Sequence, residues 1–189
     1  MLNMDSGCGG AGILGTSSDI TVINSVIRNN KSISANGGGY YGPVTFINCL
    51  INNNSATVEE QYGSGYAYGG AGTNTDDARY PFAKHYNSTI VNNYAHSGVG
   101  GISNYDFVYN SILWGNKIDG NITSNLKLTD VVGNISYGRP EVYYSAVEGG
   151  CLGEGNITLN ADNSGSDDVT YPMFVNPTIA VGAGNYGAG

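Results

Sequence analysis

The sequence predicts an all-β fold, a right-handed parallel β-helix (solenoid) of about five to seven coils with inserted loops. Three observations support this prediction: a ten-residue motif that recurs five times, a glycine-rich motif that recurs four times, and the composition. Of 189 residues, 30 are Gly and 15 are Tyr, whereas only 12% are charged. Because Gly, Asn and β-branched residues disfavour helix interiors, we expect short strands joined by tight turns.

The ten-residue motif has an anchor position, asparagine in all but the last copy, between two short apolar stretches. The copies lie at 21–30, 45–54, 84–93, 107–116 and 141–150, and their anchors are Asn24, Asn48, Asn87, Asn110 and Tyr144. Asparagine tolerates the left-handed backbone of a sharp bend, and its amide can bond to the equivalent amide of the next copy. We therefore expect stacked asparagines at one corner of the fold.

An aliphatic residue follows each anchor by three positions. These residues are Ile27, Ile51, Ile90, Leu113 and Val147. We expect them to stack inward, one above another, in the core. A second asparagine follows the anchor by six positions in the first four copies, at Asn30, Asn54, Asn93 and Asn116. Stacking of these amides would satisfy polar groups that are otherwise buried without partners.

Successive anchors are separated by 24, 39, 23 and 34 residues. The basic coil is therefore 23–24 residues long, with insertions near residues 58–82 and 117–140. A coil of this length suits two or three short strands with their turns. We expect residues 1–189 to form a single β-helix domain that is a fragment of a longer protein, since uncapped ends expose strand edges. Exposed ends also predict end-to-end self-association.

The glycine-rich motif precedes four copies, as CGGAG at 8–12, NGGGYY at 36–41, YGGAGT at 68–73 and GVGGIS at 98–103. Glycine pairs are typical of tight corners where a Cβ would collide with a neighbouring coil. Together the two motifs resemble the repeats of bacterial extracellular β-helix proteins, including polymorphic outer-membrane adhesins. Those repeats carry a GG-small motif and an F-x-x-N motif, which Phe46–Ile47–Asn48 approximates.

The resemblance covers residues 8–177 and implies a β-helix that is secreted or located on the cell surface, but it specifies activity poorly, because the fold hosts many functions. Our functional hypothesis is a non-catalytic, adhesin-like protein that binds a glycan or a host or cell-surface protein through its side face and its Tyr-rich insertion. We recognise neither a signal peptide nor an anchor in this chain, and we expect both to lie in the longer protein.

The charge excludes one large class of partner. The net charge is −8 with seven Lys and Arg residues, so no basic patch is expected for a nucleic acid. No apolar run approaches about 18 residues, and no membrane span is expected. Acidic pairs such as Asp76–Asp77 could bind calcium, but their spacing matches no calcium loop. An ordinary charged surface is favoured, and no cofactor is predicted.

Aromatic residues provide the candidate ligand-binding sites. In the first insertion these are Tyr62, Tyr66, Tyr68 and Tyr80, with Asp76 and Asp77 beside them. Tyrosine faces stack on the C–H surfaces of sugars, and carboxylates accept protons from hydroxyl groups. A solvated loop packed on the flank of the solenoid is the alternative.

A second aromatic candidate lies in the fourth copy of the motif. Tyr109 and Trp114 should point outward if Val108 and Leu113 point inward, which predicts an aromatic strip on one sheet. Such a strip would serve adhesion to a glycan or a protein. Packing beneath the second insertion is the alternative.

The sequence assigns no catalytic residue. His85 shares a column with Val22, Phe46 and Val108, which is typical of a core histidine, and His96 lies in a turn with no obvious partner. No pair of acids lies at the repeat spacing that would place both on one face, as glycoside hydrolysis requires. A polysaccharide lyase or glycoside hydrolase of the β-helix type, and a structural spacer or phage-spike segment, remain alternatives.

Overall fold

The computed structural model describes residues 11–15, 20–59, 67–73, 82–103, 106–126, 131–132, 135–136 and 140–159. Over these residues the chain is all-β, with 22 short strands, one 3-10 turn at Asp119–Asn121 and no α-helix. Within the same residues, no helix has the length and hydropathy needed to cross a membrane.

The first sixteen strands come in four groups of four. The first group is β1 (Ile13–Leu14), β2 (Ile20–Ile23), β3 (Val26–Arg28) and β4 (Lys31–Ile33). The second is β5 (Tyr40–Tyr41), β6 (Val44–Ile47), β7 (Leu50–Asn52) and β8 (Ser55–Thr57). The third is β9 (Gly72–Thr73), β10 (Lys84–Tyr86), β11 (Thr89–Val91) and β12 (Tyr94–Ala95). The fourth is β13 (Ile102–Ser103), β14 (Phe107–Tyr109), β15 (Ile112–Trp114) and β16 (Lys117–Ile118).

Six further strands follow these groups. They are β17 (Ile122–Thr123), β18 (Val131–Val132), β19 (Ile135–Ser136), β20 (Glu141–Tyr143), β21 (Ala146–Glu148) and β22 (Ile157–Leu159). Each complete repeat thus holds four strands, where the spacing predicted two or three. The difference arises because each strand is only two to four residues long.

Equivalent strands of successive groups pair in parallel and build four sheets. Sheet 1 has the order β1-β5-β9-β13, sheet 2 β2-β6-β10-β14-β20, sheet 3 β3-β7-β11-β15-β21-β22, and sheet 4 β4-β8-β12-β16-β17. Only β17 pairs antiparallel within these sheets, and β18 and β19 form a separate antiparallel pair. Several parallel sheets built by repetition are compatible with a β-helix or solenoid.

The register of sheet 3 aligns the aliphatic residues of the repeat. Ile27 pairs with Ile51, Ile51 with Ile90, Ile90 with Leu113, and Leu113 with Val147. All five are buried, and all belong to one hydrophobic cluster. A single continuous row of aliphatic side chains therefore forms this part of the core.

The anchor residues form the bend between sheets 2 and 3. Each has a positive φ, at Asn24 (51°), Asn48 (54°), Asn87 (51°), Asn110 (50°) and Tyr144 (50°). Their side chains are exposed, and two amide pairs bond across repeats. Asn48 Nδ2 donates to Asn24 Oδ1 at 3.2 Å, and Asn110 Nδ2 donates to Asn87 Oδ1 at 2.7 Å.

A second row of asparagine side chains runs inside the fold, from Asn30 through Asn54, Asn93 and Asn116 to Asn125. Each Nδ2 along this row is bonded to the Oδ1 of a neighbour, at 2.9, 3.0, 2.9 and 2.7 Å. The row ends at the buried carboxylate of Glu148, whose Oε2 accepts from Asn125 Nδ2 at 3.1 Å. These bonds offset the cost of burying the amides.

Both segments predicted as insertions contain strands of the repeat. Within 58–82, Gly72–Thr73 pairs with Tyr40–Tyr41 in sheet 1. Within 117–140, Lys117–Ile118 pairs with Tyr94–Ala95 in sheet 4 before the chain turns back into β17. The repeat therefore reaches further into both segments than the anchor spacing alone indicates.

Candidate functional site

Sheet 2 carries a column of large side chains on its outer face. Alternation directs one residue of each strand toward the core, namely Val22, Phe46, His85, Val108 and Val142. The residue that follows points outward, and the register aligns these residues as Ile23, Ile47, Tyr86, Tyr109 and Tyr143. We refer to Tyr86, Tyr109, Tyr143 and Tyr144 as the tyrosine column.

The rings of the tyrosine column are accessible from outside. Tyr86 is 36% exposed, Tyr109 45% and Tyr144 43%. The Tyr109 and Tyr144 rings lie 5.2 Å apart, tilted by 58°. Tyr143 is half-buried, and its hydroxyl donates to Glu141 Oε2 at 3.3 Å. A hydrogen bond to the Glu154 carboxylate raises the pKa of Tyr144 above its ordinary value.

Polar groups flank the column on both sides. Along one side lie the exposed amides of the anchor asparagines, including Asn87 and Asn110. Along the other lies a second outward row, in which Lys84 pairs with Phe107 and Phe107 with Glu141. The surface therefore combines aromatic rings with amide donors and acceptors, with the Lys84 ammonium and with the carboxylates of Glu141 and Glu154.

Directly behind the column, a polar group is buried in the core. Tyr40 Oη donates to Asp106 Oδ2 at 2.5 Å and lies 2.9 Å from His85 Nε2. His85 stacks on Phe46 with ring centroids 5.1 Å apart, and Tyr40, His85 and Asp106 are all completely buried. This buried triad (Tyr40, His85 and Asp106) links sheet 1 to sheet 2.

The environment of the buried triad favours a neutral phenol. Burial, together with the Asp106 carboxylate, raises the pKa of Tyr40 well above its usual value. His85 Nδ1 and Asp106 Oδ1 have no hydrogen-bond partner among the described residues. A Cβ at Gly72 would lie 2.0 Å from the Tyr40 ring, so glycine is required there. Because the triad is closed to solvent, its role lies in packing.

The predicted ligand residues are distributed over several parts of the chain. Tyr109 lies within the tyrosine column. Tyr68 is half-buried, and its ring packs against the backbone of Gly98. The other predicted residues of the first insertion lie outside the described residues: Tyr62, Tyr66, Asp76, Asp77 and Tyr80.

The prediction that Trp114 joins Tyr109 in one exposed strip is wrong. Trp114 is only 9% exposed, and it lies in sheet 3, whereas Tyr109 lies in sheet 2. The bend at Asn110 separates the two strands. Strand alternation determines the side on which a Cβ emerges, but it does not determine how much of a large ring the neighbouring segments cover.

Sequence reasoning missed Tyr86, Tyr143 and Tyr144. Tyr86 and Tyr143 could have been found from the position just before the anchor. In successive repeats this position is occupied by Ile23, Ile47, Tyr86, Tyr109 and Tyr143. Tyr144 occupies the anchor position itself, where its ring reaches Tyr109.

The comparisons with known proteins identify no relative. No family model matches the chain, and neither a curated protein nor a solved structure matches it. Among the described residues, no group of three or more His, Cys, Asp or Glu side chains is arranged to hold a metal ion. The alignment and exposure of its rings make the tyrosine column the candidate ligand-binding site.

Proposed function

We propose that this chain forms part of a right-handed parallel β-helix in a secreted or cell-surface protein, and that it binds an extended neutral glycan along the tyrosine column. The observation that carries the proposal is the alignment of outward-facing tyrosines on successive strands, the exposed Tyr86 and Tyr109 and the half-buried Tyr143, beside the exposed Tyr144. The repeated strand order supports the β-helix. The resemblance of the repeats to those of extracellular proteins supports the location.

The geometry of the column suits a polymer that lies across the strands. Neighbouring strands are about 4.8 Å apart, so an aromatic ring recurs at each step along this direction. Ring faces stack on the C–H surfaces of sugars, and asparagine amides both donate to and accept from hydroxyl groups. The exposed anchor amides run alongside the rings and supply these bonds.

Charge favours a neutral glycan over an acidic one. On the outer face of the described sheet 2 strands, Lys84 and Glu141 contribute one charge of each sign. The whole chain carries a net charge of −8, which repels a polyanion. The carboxylates of Glu141 and Glu154 lie beside Tyr143 and Tyr144. We propose binding without turnover, in keeping with the resemblance of the repeats to those of adhesins.

A glycan array with neutral and acidic polysaccharides tests the proposal, followed by calorimetry on the best ligand. Tyr109→Ala should weaken binding about tenfold, equivalent to about 1.4 kcal/mol, because it removes the central ring. Tyr109→Phe, which keeps the ring, should retain most of the affinity. Ile23→Ala is the matched control, since Ile23 is 54% exposed in the same column but is not aromatic.

Two results would contradict the proposal. The column is not a glycan site if no glycan binds, or if Tyr109→Ala and Ile23→Ala bind equally well. Release of reducing sugar or of an unsaturated product by the wild-type protein would instead assign the chain to the β-helix enzymes.

A further inference from the structure

Sheet 4 carries a second group of interacting polar side chains, independent of the tyrosine column. Tyr94 begins β12 and His96 directly follows that strand, while Asp119 directly follows β16. The register pairs Tyr94 with Lys117 and Ala95 with Ile118, so the next residues, His96 and Asp119, come side by side. His96 therefore has a partner that the sequence analysis did not find.

The Asp119 carboxylate connects the other two side chains. Its Oδ2 lies 2.6 Å from His96 Nδ1, and its Oδ1 accepts a hydrogen bond from Tyr94 Oη. Both carboxylate oxygens are thus engaged. Tyr94 is buried, which fixes the carboxylate from the protein side. The left-handed Gly120 (φ 75°) follows Asp119 and turns the chain back into β17.

This arrangement prepares the imidazole for proton transfer. A carboxylate at Nδ1 favours the tautomer with hydrogen on that nitrogen and leaves the Nε2 lone pair available. The side chains of His96 and Asp119 are each 47% exposed, so water and small molecules reach the group. The same orientation of histidine by aspartate operates in hydrolases whose histidine is a general base.

We propose that Tyr94, His96 and Asp119 form a general-base site that hydrolyses small acyl esters with water as the nucleophile. His96 Nε2 takes one proton from water while the water oxygen bonds to the ester carbonyl carbon. When the tetrahedral intermediate collapses, the carbon–oxygen bond to the alcohol breaks, and the alcohol oxygen takes that proton from Nε2. The products are a carboxylic acid and an alcohol, and no oxidant or reductant is consumed.

The other charged groups on sheet 4 and beside it have partners of their own. Lys117 pairs with Tyr94 in the register, and its Nζ donates to Thr123 Oγ1 at 3.0 Å. Glu148 is buried and is bonded through Thr123 Oγ1 at 3.4 Å. Lys31 of β4 and Glu59, which follows β8, pair with each other at 3.5 Å.

Hydrolysis of p-nitrophenyl acetate by the full chain tests the proposal, with the release of nitrophenol as readout. At equal concentration and pH, the wild-type protein should react at least about 100-fold faster than free imidazole, since positioned general bases contribute about 10²–10⁴. His96→Gln should fall to the buffer rate. The chain has two histidines, so this variant retains the buried His85 as an internal control.

The role of Asp119 in orienting His96 is tested separately. Asp119→Asn should lower the rate at least about tenfold, because the imidazole loses the carboxylate that orients it. In nitrogen-detected NMR, His96 of the wild type should carry its proton on Nδ1, and the Asp119→Asn variant should lose this preference. Circular dichroism confirms that each variant is folded.

Two results would overturn the proposal. One is a wild-type rate no higher than that of free imidazole. The other is an undiminished rate in a folded His96→Gln variant, which would place the reaction elsewhere on the chain.

Discussion

The two histidines of this chain each lie beside one tyrosine and one aspartate, yet the two groups are built in opposite ways. In the buried triad, the hydroxyl of Tyr40 is central and contacts both His85 and Asp106. On sheet 4, the carboxylate of Asp119 is central and contacts both His96 and Tyr94. The first group is completely buried, whereas His96 is half exposed.

The identity of the central group explains why one cluster is suited to packing and the other to proton transfer. A hydroxyl can donate to one neighbour and accept from another, so it joins two side chains inside the core without adding a charge. A carboxylate accepts from both neighbours and holds the imidazole in a defined orientation with an edge turned to solvent. The buried group therefore contributes to the specificity of packing, and the exposed one is suited to proton transfer.

The largest effect should follow from removing the tyrosine of the buried triad. Tyr40→Ala leaves a cavity against Phe46 and strips His85 and Asp106 of their shared partner. We expect a loss of about 3–5 kcal/mol in the free energy of unfolding, measured by urea titration. Tyr109→Ala is the control, since its ring is 45% exposed, and it should cost less than about 1 kcal/mol. Equal losses would show that Tyr40 is not a core residue.

Removing only the tyrosine hydroxyl from each group should lower the free energy of unfolding by less than Tyr40→Ala does, and the loss should be larger in the buried triad. Tyr40→Phe leaves His85 Nε2 and Asp106 Oδ2 buried without their shared partner, so we expect a loss of about 2 kcal/mol. Tyr94→Phe removes one donor from a carboxylate that water also reaches, and it should cost about 1 kcal/mol or less. Matched thermal and urea unfolding of the two variants measures this difference. A reversed order would contradict the distinction between the groups.

The repeat made part of this architecture predictable from the sequence. Because the anchor spacing sets the strand register, the row from Ile27 to Val147 and the bends at the asparagines follow from alignment of the copies alone. The same alignment also predicts that His96 and Asp119 are neighbours on sheet 4. Nine positions after the anchors stand Ile33, Thr57, His96 and Asp119. Assigning residues 117–140 to an insertion concealed the last of these.

Contacts between different sheets could not be read from the repeat. Tyr40 lies 45 residues before His85 and 66 before Asp106, and no motif position relates the three. The burial of Trp114 could not be predicted from the repeat either. Strand alternation gives the direction of a side chain, but it does not show which segments cover that side chain. Both features depend on how the sheets pack around the core.

The smallest effect we expect is confined to alkaline pH. The pKa of Tyr40 is raised in the folded protein, chiefly by burial and then by Asp106, relative to an ordinary value of 10.0. Above that value the unfolded chain releases this proton while the folded chain retains it. The contribution of Tyr40 to stability is therefore fully present below about pH 10, and it is lost as pH rises toward the folded pKa. One tyrosine contributes a slope of at most about 1.4 kcal/mol per pH unit. Urea unfolding of Tyr40→Phe, compared with wild type between pH 8 and 11, should show a shallower decline. Parallel curves for the two proteins would mean that the folded state does not hold the Tyr40 proton more tightly than the unfolded chain, and the buried triad would lose its distinction from the group on sheet 4.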